Sequence, residues 1–169
     1  MQYVEKSTIV DAPIAASYRL WTRVEEWPTF LKAIREVRRI DEKCFLLKSK
    51  RGGTEYESIA EITLVIPERR MAWRTISGVQ NSGVIVFDNE PGGKTRVTFQ
   101  MQYEVGAGWQ SPKAMSDRLE YHLACFKEYI EGMNSKLPLK VSRRKLPGKG
   151  ILDRLRTVLI HQNPHDSKF

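Results

Sequence analysis

One imidazole stands on an otherwise apolar stretch of the chain. At roughly 100° per residue, Met115, Leu119, His122, Leu123, Phe126, Tyr129, Ile130 and Met133 share one arc of about 120° on a helix predicted from about Ser111 to Met133. An imidazole in that setting can bond a ligand carbonyl or serve as general acid or base, because it titrates near neutrality. His122 is therefore the single candidate for catalysis. The competing reading is a histidine satisfied by a neighbouring side chain or turned to the mouth of a cavity. Both readings stay open at the level of sequence.

Other chemistry is sought and not found. Glu55, Glu57 and Glu61 are close in sequence, but strand alternation puts all three on a wet face. The glycine pairs Arg51-Gly52-Gly53-Thr54 and Pro91-Gly92-Gly93-Lys94 precede no helix, so they read as hairpin turns rather than phosphate cradles. There is no Gly-x-x-x-x-Gly-Lys, His-Glu-x-x-His or Gly-x-Ser-x-Gly run. Of 3 histidines, His161 and His165 fall near the C-terminus. No metal site can be assembled from these spacings, and no cofactor is expected. Cys44 and Cys125 are far apart and lack redox spacing, and they read as reduced thiols of an intracellular protein.

The elements that would position these residues follow from turn chemistry and periodicity. Val4 to Val10 is a first strand, and Asp11-Ala12-Pro13 signals a helix start, with Asp11 as the expected cap. Short helices are expected at Ala15–Trp21 and around Trp27–Leu31. About six strands separated by turns then run from Ile34 to Glu104. In one of them Tyr56, Ser58, Ala60, Ile62 and Leu64 form the drier face. In the last, Val97, Phe99, Met101 and Tyr103 do so. The predicted fold is α+β, a curved antiparallel sheet wrapped around a long C-terminal helix.

The run Val10-Asp11-Ala12-Pro13, then Leu20-Trp21, then Trp27-Pro28-Thr29-Phe30-Leu31 resembles the opening of the START-like polyketide cyclase/dehydrase family, whose branch includes the coenzyme Q-binding proteins. Further matches are Ala72-Trp73-Arg74-Thr75, Asn81 to Phe87, Gly93 to Thr98 and Leu123 to Lys127. The resemblance covers roughly residues 3–133. It implies a helix-grip fold with a deep apolar cavity between sheet and helix, and small hydrophobic ligands such as lipids, quinones or polyketides. It transfers no catalytic residues. The positions expected to line the cavity are Tyr56, Trp73, Thr75, Phe87, Phe99, Met101, Tyr103, Met115, Leu119, His122 and Phe126, with Ser58 also reaching inward. Phe99, Met101, Met115, Leu119 and Phe126 should bound a space on the order of a few hundred Å³. A binding or transport protein, a cyclase/dehydrase enzyme and a ribosome-associated regulator are the functions in play.

The chain's 169 residues suffice for one domain with a sizeable core, and no apolar run is long enough to span a membrane. No signal peptide is expected, so a cytoplasmic protein is. The net charge of +8 is unevenly placed. Residues 1–134 hold 19 Lys+Arg against 18 Asp+Glu, whereas residues 135–169 hold 9 against 2. The expected division is therefore a nearly neutral ligand-binding domain at 1–134 and a basic extension at 135–169. Within the extension, Ile151, Leu152, Leu155, Val158 and Leu159 make a short amphipathic helix. Its expected partners are its own domain, a second copy in a homodimer, or an anionic membrane surface that would make the protein peripheral. Nucleic acid is the least expected partner, because the basic charge is not on the domain.

Overall fold

The structure, a computed structural model, describes residues 1–106 and 111–136. The amphipathic pattern at 151–159 and the rest of the chain beyond Lys136 lie outside the described residues. The chain forms β1 (Gln2–Val10), α1 (Ile14–Thr22), a single 3-10 turn (Val24–Glu26), α2 (Trp27–Phe30), then β2 (Ile34–Arg39), β3 (Cys44–Arg51), β4 (Thr54–Ile66), β5 (Arg70–Ser77), β6 (Asn81–Glu90) and β7 (Lys94–Tyr103), and finally α3 (Pro112–Lys136). The strands make one antiparallel sheet in the order β1-β7-β6-β5-β4-β3-β2. Every neighbouring pair except β1 with β7 is a hairpin, so the first strand closes the sheet along the last. The glycine pairs sit in those hairpins with positive φ, 53° and 85° at Gly52 and Gly53, 79° and 72° at Gly92 and Gly93. Those values are the turn geometry that glycine tolerates without steric cost.

The sheet is curved and holds α3 against one face, which is the helix-grip arrangement. Two devices place that helix. Ser111 caps its start by accepting the Ala114 N–H at 3.3 Å, with Pro112 in the first turn. Its polar flank is tied to β1 and the turn after it. The Lys127 ammonium donates to the Ile9 carbonyl at 2.6 Å, and Asn134 Nδ2 donates to the Asp11 carbonyl at 2.9 Å. The backbone N–H of Asp11 donates to Glu131 Oε1 at 2.9 Å. Asp11 thus serves the end of α3 and does not cap α1. The residue at that cap is Pro13, which has no side-chain donor or acceptor to offer.

Alternation along β7 is as expected: Val97, Met101 and Tyr103 are buried and Phe99 is half-buried. In β4 it breaks. The pairing with β5 slips between Ile62 and Leu64, leaving Thr63 as an extra residue. A bulge of this kind swaps the faces beyond it. Leu64 no longer continues the dry face, and this end of β4 is exposed on both sides, Leu64 at 42% and Val65 at 47%. On α3, Met115, Leu119, Leu123, Phe126 and Ile130 are buried, whereas Met133, at the far end of the expected stripe, is 48% exposed.

The core is an aromatic cluster centred on Trp21, which is 1% exposed. Its ring lies 5.1 Å from Phe126, 5.4 Å from Phe30 and 6.0 Å from both Trp27 and Phe99. Such edge and tilted pairs add to the burial energy of the rings. The Trp27 indole N–H donates to the Trp21 carbonyl at 2.9 Å, which locks α1 to α2. This cluster fills the space between the sheet and the second half of α3.

Candidate functional site

Beside the cluster, under the first half of α3, the space is not filled. A cavity of about 110 Å³ remains there. Its apolar walls are Trp21, Trp27, Leu31, Leu47, Trp73, Ile85, Phe99, Met101, Met115 and Leu119, with Ala33 and Ile34 beside α2. The polar lining consists of Ser49, Arg51, Ser58, Asn81, Arg118 and His122. No Asp or Glu is among the described residues that line it.

Of the positions expected to reach the cavity, Ser58, Trp73, Phe99, Met101, Met115, Leu119 and His122 come together here. The others do not line the cavity. Phe126 packs on Trp21 and on Phe30, 5.6 Å away, inside the aromatic cluster. Phe87 is buried against the edge of Tyr18 at 5.8 Å and fastens α1 to β6. Tyr103 is buried with Met101, Met115 and Leu119 at the other end of the helix face. Thr75 is buried in β5 outside the lining. The Tyr56 ring lies under the Arg51 guanidinium, 4.1 Å from it, and so supports a lining residue.

Two lining arginines were missed by the sequence reading, and each left a signal. Phe45, Leu47, Ser49 and Arg51 alternate along β3, so the face that begins with a buried phenylalanine ends with Arg51 at the hairpin. Arg118 is three residues from Met115 and four from His122, at the margin of the apolar arc on α3. The Arg51 guanidinium also reaches Ser49 Oγ at 3.5 Å. Burial, then the Arg118 charge, pulls Arg51 down to about 10, and burial lowers Arg118 as well. Both remain cations at neutral pH.

The same two causes act on His122. Burial first, then the charge of Arg118, brings its pKa down to about 4, so the imidazole is neutral at pH 7. Its Nε2 atom is buried and has no hydrogen-bond partner among the described residues, and the same holds for Trp21 Nε1. Two residues of the lining therefore carry a buried ring nitrogen without a partner among the described residues. By contrast, the Trp73 N–H donates to Asn81 Oδ1 at 3.1 Å, and Ser58 Oγ accepts the Val79 N–H at 3.3 Å. Among the described residues no group of three or more His, Cys, Asp or Glu is arranged to hold a metal ion.

A sheet gripping one long helix over an apolar cavity with a few polar groups defines a START-like, helix-grip architecture. The family model for polyketide cyclase/dehydrase and lipid transport matches residues 10–124, and the chain belongs to that family. An uncharacterized 17.2 kDa protein of Streptomyces lincolnensis is 27% identical over 133 residues, 78% of this chain and 84% of that one. Among solved structures, a START superfamily protein from Mycobacterium smegmatis superposes with a TM-score of 0.66 at 12% identity, over 80% of this chain and 98% of the other. The Zhui aromatase/cyclase from Streptomyces sp. R1128 does so with a TM-score of 0.60 at 17% identity, over 77% and 93%. At these identities the two structures speak for the fold.

Proposed function

We propose that the protein binds a small, mainly apolar molecule in this cavity and holds or transfers it. The observation that carries this reading is the space itself. An apolar cavity persists beside a well-packed aromatic cluster, and a few polar side chains, Ser49, Asn81 and His122 among them, stand in its lining. Ligand sites have that composition, apolar walls with a few convergent polar groups. The family supports the same class of ligand.

Catalysis of the cyclase or dehydratase kind has weaker support. A histidine with a pKa of about 4 is a poor base at neutral pH, and no carboxylate among the described lining residues orients it or raises its basicity. Tyr56 does not line the cavity, so it is not placed to act with Arg51 on a bound molecule.

Native mass spectrometry of the protein purified from its own host tests the binding reading directly, by the mass of a co-purifying small molecule. Trp21, Trp27 and Trp73 line the cavity, so occupancy should also change tryptophan fluorescence. Protein that carries no ligand and whose fluorescence is indifferent to a panel of apolar probes would overturn the reading.

A further inference from the structure

We propose that the molecule bound in this cavity is small and flat, a single aromatic ring with a short substituent, and that the site excludes fused polycyclic bodies and long alkyl chains. The inference rests on the binding reading above and names the size and shape of the ligand.

Volume sets the scale. The cavity of about 110 Å³ is less than half of what sites for drug-sized ligands offer, which begin at about 300 Å³. An apolar cavity of about 150 Å³ is enough to bind benzene. The walls set the shape. Trp21, Trp27, Trp73 and Phe99 are aromatic, and Met101 and Met115 bring thioethers to the lining. A ring placed among them gains offset or edge contacts with the aromatic walls and sulfur contacts with the methionines, beyond the burial that an alkyl chain would also gain.

The aromatic walls are held in place, so the space does not widen freely around a larger guest. The Trp73 indole is tethered through its N–H to Asn81 Oδ1 at 3.1 Å and packs 5.2 Å from Phe99. Trp21 packs on Phe126 and Phe30, and Trp27, its N–H spent on the Trp21 carbonyl, meets Phe45 edge-on at 5.4 Å. Phe30, Phe45 and Phe126 are themselves buried, and a close-packed interior leaves them no room to retreat. Growth of the cavity toward the second half of α3 would have to displace this whole cluster. The softer wall is α3 itself, where Met115 and Leu119 face the space with aliphatic side chains.

Calorimetric titration of the full chain with benzyl alcohol, anthracenylmethanol and decanol tests this, because the three share one hydroxymethyl group and differ in the body that carries it. Buried area alone would make the two larger alcohols bind at least about tenfold more tightly than benzyl alcohol. Neither should bind more tightly than it does, because a guest larger than the space must force the packing apart. Leu119→Ala removes part of the α3 wall and should improve anthracenylmethanol binding at least about tenfold relative to benzyl alcohol; Met115→Ala should do the same and serves if the first variant does not fold. Tighter binding of either larger alcohol to the unaltered protein would overturn the inference and leave the binding reading intact. An unchanged preference in the folded variants would overturn it too, by showing that cavity volume does not select the ligand. No binding of any of the three would remove both readings together.

Discussion

The indole of Trp73 lies across Gly83, its register partner on the neighbouring strand, in the volume that a side chain at position 83 would occupy. A Cβ built on Gly83 collides with Cη2 and Cζ2 of Trp73 and falls 2.6 Å from the Gln100 carbonyl oxygen. The floor of the cavity therefore depends on the absence of a side chain one strand away. Gly83→Val should push the indole toward the cavity and cost about 1–3 kcal/mol, the usual range for overpacking. Urea unfolding measures the loss, and weaker probe binding together with a shifted tryptophan emission reports the moved ring.

His122 should make stability depend on pH. Its pKa is about 4 in the folded protein and near 6.5 when unfolded, so below 6.5 the unfolded chain takes up the proton first. The stability it contributes is complete above pH 6.5 and is lost as the pH falls toward 4. Between pH 7 and 5 the loss is about 2 kcal/mol by linkage. His122→Gln should flatten this part of the profile, as denaturant melts at the two pH values would show. A variant with the wild-type slope would place the titrating group elsewhere.

Arg118 depresses His122 through its charge, second only to burial. Arg118→Gln should therefore raise the imidazole pKa from about 4 while leaving it below the ordinary value, since burial remains. An NMR titration of the imidazole protons reads this directly.

Phe126 belongs to the packing and not to the lining. Phe126→Ala should destabilise the protein by about 3–5 kcal/mol, as deletion of a fully buried aromatic does. The large cost should appear in thermal and urea melts.

The basic extension at 135–169 is expected to dock on its own domain, on a second copy or on an anionic membrane surface, and the last of these predicts vesicle binding that depends on it. Removing residues 135–169 takes only Ser135 and Lys136 from the end of α3 and should leave the domain folded. Co-sedimentation with vesicles containing phosphatidylserine should fall sharply in the truncated protein. In the intact chain it should weaken with added salt, as screened attraction requires. Unchanged vesicle binding with a large drop in melting temperature would point to docking on protein instead.

Much of the fold was legible because strand and helix periodicities are local. Val97, Phe99, Met101 and Tyr103 alternate whatever they pack against, and Met115, Leu119, Leu123 and Phe126 keep helical spacing in any context. The glycine pairs at 52–53 and 92–93 announced their hairpins for an equally local reason, the need for positive φ. The bulge at Thr63 was not legible, because it arises from how β4 pairs with β5 and not from β4 itself.

The site divides along the same line. Periodicity placed Phe99, Met101, Met115, Leu119 and His122 on facing surfaces, and these are in the lining. It also placed Phe126 there with equal force, yet Trp21 and Phe30 arrive from α1 and α2 and bury that ring in the core. Arg51 and Arg118 are more than 60 residues apart in the chain and became neighbours only when α3 settled on the sheet. The neutral charge state of His122 follows first from the burial that this packing imposes and then from Arg118 one turn earlier on α3, and desolvation is a property of an environment and not of a residue type. Sequence alone determined the alternating faces and the helical stripe, whereas tertiary packing decided which part of the space between them was filled, which part stayed open, and which charges looked into it.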